Sequence, residues 1–321
     1  RPGRRHRCNA AASSCGPILA GLRPGVKNGI CLWQEARHLL RSGALMKRRA
    51  RTTIGTTAES DSPPAPLLDK QSERDHRELR IDKVGVRGLR FPIQVRDKAH
   101  SVQNTIATIG MYVDLPKEFK GTHMSRFIEV LNAHGTMVHV ENIPDILLAM
   151  QRKLRAATAH IEMEFPYFLE KRAPVTRMVG LMDYTARFDA AAVGEKIDFV
   201  LTVIAGVTTL CPCSKAISRH GAHNQRGRVT VQLRSAGIVW IEDVIAMVEN
   251  SASGELFSLL KRQDEKAVTE RAYENPVFVE DLVRNVALRL NAHSNVTWYK
   301  VEAENFESIH SHNAYACIEK S

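Results

Sequence analysis

Residues 209–227 read TLCPCSKAISRHGAHNQRG. Two cysteines, two histidines, one lysine and two arginines share nineteen positions with two glycines and no acid. Thiolate and imidazole together suit Zn²⁺, and with a carboxylate they also suit Fe²⁺ or Mn²⁺. Cys211 and His223, twelve residues apart, are therefore candidate metal ligands or catalysts. The spacing is not that of a zinc finger, which would need a second C-x₂-C or an H-x₃₋₅-H pair. A catalytic site needs three protein ligands and an open position for water, so a third ligand must come from elsewhere. Cys213 points away from Cys211 if both lie on an extended segment, and a C-P-C disulfide is too tight to relax. One cysteine is thus expected in the site. The plain alternative makes Cys211 a small buried hydrophobe and His223 a loop histidine.

A second cluster, ENFESIHSHNAYA over 304–316, holds Glu304, Glu307, His310 and His312 at the end of an expected strand. A buried carboxylate there could accept two N–H bonds from a guanine-like edge, and His310 could serve as acid or base near neutral pH. A third, LLKRQDEKAVTERAYENPVFVED over 259–281, interleaves acids and bases on helix-like sequence. That pattern usually marks a solvated surface, yet Glu265 or Glu280 could complete a metal set.

Alternation and β-branched content predict strands over 81–95, 101–115, 161–165, 179–190, 196–210, 228–237, 295–308 and 313–320. Met124, Phe127, Ile128 and Leu131 follow helical spacing, as do Ile143, Ile146, Leu147, Met150 and Leu154. Two further helices are marked by Ile241–Val248 and Val279–Leu290, the latter opened by ENP with Pro suited to a first turn. The Cys211 cluster falls on a loop with Gly221 and Gly227 after an apolar strand. Strand–strand–helix–helix–strand–strand thus runs twice, over about 81–190 and 196–321. The fold class expected is α+β, antiparallel sheet with helices on one face. Open sheet edges would suit edge-to-edge assembly.

Net charge is +10, but residues 1–51 carry 12 Lys and Arg against one acid, leaving 33 against 34 in the rest. A near-neutral body argues against nucleic acid as partner. Residues 1–45 lack periodicity, and translation is expected to start at Met46; a basic arm or transit peptide is the alternative. Residues 47–80 read as a flexible lead-in. Three of six cysteines lie in that leading region, so no disulfide framework is expected and a reducing cytoplasm fits best. The longest apolar run, near FVLTVIAGV, falls short of the ~20 residues of a membrane span, so no membrane partner is expected.

LCPCSKAIS, GAHNQR, DEKAVTERAYENPVFVED and ENFESIHSHNAYA, with DKVGVRGLRFPI and KGTHMSRF upstream, together resemble the prokaryotic GTP cyclohydrolase of type IB over about 80–321. The resemblance implies a tunnelling fold with two ββααββ units, 80–192 and 193–321, after an extension over 1–79. It implies a homotetramer with active sites between subunits. It implies conversion of GTP and water to 7,8-dihydroneopterin triphosphate and formate, the entry to folate synthesis. Cys211 and His223 look like metal ligands in such a family, with Glu265 completing the set. Glu307 looks like the guanine anchor, His310 like the acid/base over the imidazole ring, and Glu280 like a further acid/base. Cations for the triphosphate could be Lys120, His123 and Arg126, or Lys215 and Arg226 beside the metal. Zn, Mn or Fe could fill the site.

Two other readings compete. A nitrile reductase of the same fold class would use a cysteine nucleophile and NADPH, and needs no histidine ligand twelve residues on. A zinc-stabilised nucleic-acid binder with a basic arm is disfavoured by the near-neutral body.

Overall fold

The computed structural model describes residues 68–135 and 138–320. Expectations for residues 1–67, including the Met46 start, lie outside that range, whereas 68–80, read as part of a flexible lead-in, are tied to the loop after β2 by hydrogen bonds such as Gln71 Nε2 donating to the Thr122 carbonyl and Asp75 N–H to the Glu118 carbonyl. Long strands dominate. In the first half β1 (Ile81–Asp97), β2 (Ser101–Leu115), β4 (Thr158–Arg172) and β5 (Val179–Val193) flank α1 (Ser125–Ala133), the two-residue β3 (Val138–His139) and α2 (Ile143–Leu154). The second half follows with β6 (Lys196–Leu210), α3 (Pro212–Ile217), β7 (Asn224–Ser235), α4 (Ile241–Glu249), β8 (Gly254–Glu255), α5 (Arg262–Glu274), α6 (Val279–Ala292), β9 (Val296–Asn305) and β10 (Ala314–Lys320). The first half follows ββααββ, and the second keeps that frame with α3 inserted between β6 and β7 and β8 and α5 inserted between α4 and α6. The two halves share one sheet, ordered β10-β9-β7-β6-β5-β4-β2-β1-β3, with β8 on β6. Every pairing is antiparallel except β1 with β3.

Period-two burial explains why these strands form. On β4, Ala159, Ile161, Met163, Phe165 and Tyr167 are buried while their alternates are not. Val229, Val231 and Leu233 do the same on β7, and Tyr299, Val301 and Ala303 on β9. That row meets the apolar stripes of the helices: Phe127 and Leu131 on α1, Ile146, Leu147 and Met150 on α2, Val244, Ile245 and Val248 on α4, and Leu282, Val286 and Leu290 on α6. Helix α5 differs, since only Asp264 and Ala272 are buried along it. Its interleaved charges face water, as the sequence suggested.

Polar contacts fix α5 instead. Asp264 is fully buried and accepts from the amides of Val175, Thr176 and Lys261 and from the Thr176 hydroxyl, at 2.7–3.0 Å. The β4–β5 hairpin is thereby tied to the start of α5. Burial pushes the Asp264 carboxyl up, but these donors outweigh it and hold it at about 2. A carboxyl depressed below its unfolded value of about 3.9 stabilises the fold fully above that pH, and the effect is lost as pH falls towards 2. The melting-temperature gap between wild type and Asp264→Asn should therefore be widest above about pH 4 and close towards pH 2. A gap independent of pH would place the cost in shape rather than charge. Lys171 of β4 lies between Glu249 (2.8 Å) and Glu255 (2.5 Å), again joining first-half strand to second-half helix and strand.

Candidate active site

The polar cluster forms where three neighbouring strands of the second half run out. Leu210 ends β6, Asn224 begins β7 opposite it, and Asn305 ends β9 opposite Gly227. Down the helix-facing row, apolar pairs such as Val203–Val231 and Ala205–Val229 give way to Val207–Gly227 and then Thr209–Gln225. The next positions outward are Cys211 and His223, whose backbones are joined by Cys211 N–H donating to the His223 carbonyl at 3.1 Å. Residues twelve apart in sequence are neighbours because a strand end and a strand start are paired.

The segment between them is not the loop expected from sequence. Pro212 occupies the first turn of α3, where its missing N–H costs nothing, and Cys211 is the cap, its Sγ accepting from the Ser214 amide at 3.4 Å. Gly221, at φ +112°, makes the turn into β7. Gly227 lies inside β7, not in a loop. Cys213 is exposed on α3, so the extended geometry assumed for C-P-C does not hold, and Cys211, Cys213 and Cys317 are all free thiols.

His223 and Glu307 come together across β7 and β9. Their side chains are 12% and 11% exposed, shielded yet reachable, with Nδ1 and Oε2 at 3.9 Å. Gln225 sits between them: its Oε1 lies 2.9 Å from His223 Nδ1, and its Nε2 donates to Glu307 Oε1 at 3.4 Å. Ser308 Oγ lies 3.3 Å from the same Nδ1. Among the described residues no hydrogen bond engages His223 Nε2. Sequence reasoning missed Gln225, Ser308 and Ser214; the i, i+2 step from His223 along β7 was the one signal for Gln225.

Glu304 is used elsewhere. Hydrogen bonds from Arg228 and then Asn313 hold its carboxyl below the usual carboxylate range. Glu307 is thus the carboxylate of the 304–316 cluster that faces His223. His310, three residues on, is exposed in the β9–β10 connection and stacks on His312 with ring centroids 5.2 Å apart.

The remaining candidates spread out. Val277 N–H donates to the Leu210 carbonyl at 3.1 Å, which brings the α5–α6 turn against the strand end beside Cys211. Glu280 follows in the first turn of α6, exposed. Glu265 is exposed in the first turn of α5, eight residues or about 12 Å along the helix from Tyr273. Among the described residues no three His, Cys, Asp or Glu stand close enough to hold a metal ion. One chain therefore joins Cys211 and His223 through the backbone, with Glu307 next to the imidazole.

Lys215 Nζ donates to the Tyr273 carbonyl and lies over the Tyr273 ring, 4.5 Å from its centroid, with no acid as partner among the described residues. Arg226 alternates with Gln225 and so leaves the sheet on the face opposite His223. Lys120, His123 and Arg126 follow the end of β2, which lies level with the start of β6 through β4 and β5. Cys211 follows the other end of β6, a fifteen-residue strand about 50 Å long. Lys120 is paired with Glu73 at 2.8 Å and His123 with Asp69 at 3.1 Å.

Gly227 keeps the strand ends close. A Cβ there would meet Asn305 Oδ1 at 2.8 Å and Val207 Cγ2 at 3.1 Å. Gly227→Ala is expected to cost about 1–3 kcal/mol in a chemical melt and to displace Asn305, two residues before Glu307. An unchanged melt would show that Asn305 swings aside freely.

Comparison with known proteins bears on what this end of the sheet belongs to. The family model described as type I GTP cyclohydrolase folE2 matches residues 67–316. The GTP cyclohydrolase FolE2 of Akkermansia muciniphila is 61% identical over 257 residues, 79% of this chain and 97% of that protein. That of Syntrophus aciditrophicus is 57% identical over 254 residues, 79% of this chain and 100% of that protein. Among solved structures, uricase from Arthrobacter globiformis aligns over 74% of this chain and 92% of its own at TM-score 0.43 and 11% identity, too slight a likeness to carry weight. The matched span contains every strand and helix of both ββααββ units up to the last strand, and all three clusters picked out by their chemistry. The chain belongs to the type I GTP cyclohydrolase folE2 family.

Proposed function

We propose that this chain converts GTP and water to 7,8-dihydroneopterin triphosphate and formate, the first step of folate biosynthesis, with a divalent metal at Cys211 and His223. The observation that carries the reading is the meeting of Cys211, His223 and Glu307 at one end of the sheet, within a chain 61% identical to a GTP cyclohydrolase. The nitrile reductase alternative has no support from the family match or the relatives.

Cys211 and His223 supply two donors of the type a divalent metal takes, and a third must join them. A thiol and an imidazole with an unengaged Nε2 are soft and borderline donors, and the other imidazole nitrogen is already held, as in known histidine ligands. Glu265 is proposed as the third ligand, and Zn²⁺, Mn²⁺ or Fe²⁺ as the ion, selected by supply. A bound divalent ion would lower the pKa of its water from about 15.7 towards 7, which a carbon as unreactive as purine C8 requires. Glu307 accepts N–H bonds from the guanine edge and fixes the ring. His310 and Glu280 move protons to and from the ring nitrogens as the five-membered ring opens.

Lys215 is proposed to meet the triphosphate beside the metal, and Arg226, which leaves β7 on the opposite face, to meet that of a neighbouring copy, as are Lys120, His123 and Arg126. Because the last three lie at the far end of the strands, a second copy of the chain must supply them. A homotetramer with interfacial sites is therefore part of the proposal, as is a cytoplasmic setting, which suits three free thiols. No helix among the described residues is long and apolar enough to cross a membrane, and neither membrane nor nucleic acid is proposed as a partner.

The test is incubation with GTP and added Mn²⁺ or Zn²⁺, following formate release and pterin fluorescence together against a chelated control. Both signals, lost on chelation, are expected. Formate without pterin would overturn the product, and neither signal from folded, metal-loaded protein would overturn the substrate.

A further inference from the structure

Gln225 is not itself a proposed ligand, yet it contacts both His223 and Glu307. It is 8% exposed, on the same face of β7 as His223, with Thr209 opposite on β6. A buried amide has one end that only accepts and one that only donates. Its oxygen lies 2.9 Å from His223 Nδ1 and its nitrogen 3.4 Å from Glu307 Oε1. The reverse orientation would set the amide oxygen against a carboxylate oxygen, lone pair to lone pair. Glu307 therefore dictates which way the amide faces, and the amide dictates the imidazole.

From this geometry we infer that Gln225 is a positioning residue that couples the guanine anchor to the metal site. Its Oε1 accepts from Nδ1–H, which places the free lone pair of neutral His223 on Nε2. Its Nε2–H donates to Glu307 Oε1, which turns the other oxygen and the remaining lone pairs towards substrate. Ser308 Oγ, at 3.3 Å from Nδ1, can accept the same proton and is compatible with that tautomer. The inference rests on the proposed function for what binds at Glu307, but not for the link between Gln225 and His223.

The test separates the two ends of the amide in the full chain. Gln225→Met removes both hydrogen bonds at similar length. Gln225→Glu keeps an acceptor for Nδ1–H but sets a carboxylate against Glu307. Zn²⁺ affinity is read by competition with a chromophoric chelator, and GTP affinity by calorimetry on metal-free protein. For Gln225→Met, Zn²⁺ affinity should fall about 10–100-fold, the range for loss of a partner behind a metal-bound histidine, and GTP affinity should fall as well. For Gln225→Glu, Zn²⁺ affinity should stay at or above wild type while GTP affinity falls about 10-fold or more. Loss of Zn²⁺ affinity in both variants alike would reduce Gln225 to a packing residue and overturn the inference. So would a Gln225→Met protein with both affinities within about 2-fold of wild type. If Gln225→Met does not fold, Gln225→Glu decides alone, since weakened Zn²⁺ binding there overturns the inference. If metal-loaded wild type also binds no GTP, the proposed function fails, and the Zn²⁺ contrast still decides the role of Gln225.

Discussion

Cys211→Ala is expected to lower GTP turnover by about 10³-fold or more while the protein stays folded. A loss of that size removes about 4 kcal/mol of transition-state stabilisation, at the upper end of what a single catalytic hydrogen bond supplies and in keeping with loss of a water-activating ion. The thiol does little for the fold. It is half-buried, and its cap on α3 is one long contact from the Ser214 amide at 3.4 Å. Losing a weak cap costs at most about 1 kcal/mol, so the melt should shift by only a few degrees. Turnover, bound metal and melting temperature are measured on the same preparation. Chelation should reproduce the defect in wild type, and added metal should reverse it there but not in the variant. If Cys211→Ala unfolds instead, the site is structural rather than catalytic.

Glu307→Ala is expected to weaken GTP binding by about 2–4 kcal/mol, roughly 30- to 1000-fold, and metal binding far less. The carboxylate is 11% exposed and already accepts from Gln225, so its removal strands a buried donor as well as the guanine N–H groups. Sites built to pair a substrate's polar edge discriminate strongly, because an unmatched edge leaves buried groups unpaired. Inosine triphosphate, which lacks the exocyclic amine, should bind wild type more weakly than GTP, and the variant should no longer distinguish the two. Metal binding that collapses while GTP binding survives would assign Glu307 to the metal.

Much of this was legible in the chain before folding. Strands β2 and β6 and helix α2 fall on the spans their alternation and spacing mark, because burial on one face imposes period two or 3.6 on the residue types. The repeated ββααββ order and the choice of Cys211, His223 and Glu307 followed from residue type and motif. The helix over Pro212–Ile217 was not legible. Six residues hold too few apolar positions to show a period, and it depends on Pro212 and on capping by Cys211.

What sequence alone determined, then, is which residue types the candidate site offers and which segments carry them, since both are properties of short segments. Tertiary structure alone decided which of them meet. Pairing of β6, β7 and β9 brings positions 211, 223 and 307 to one strand end, and strand alternation turns Arg226 to the opposite face. Only the fold sets Gln225 between His223 and Glu307. Lys120, His123 and Arg126 follow strand ends opposite to the one that carries Cys211, a placement that only pairing across four strands defines. Long-range strand register has no local signal, because it is set by the sum of distant side-chain contacts.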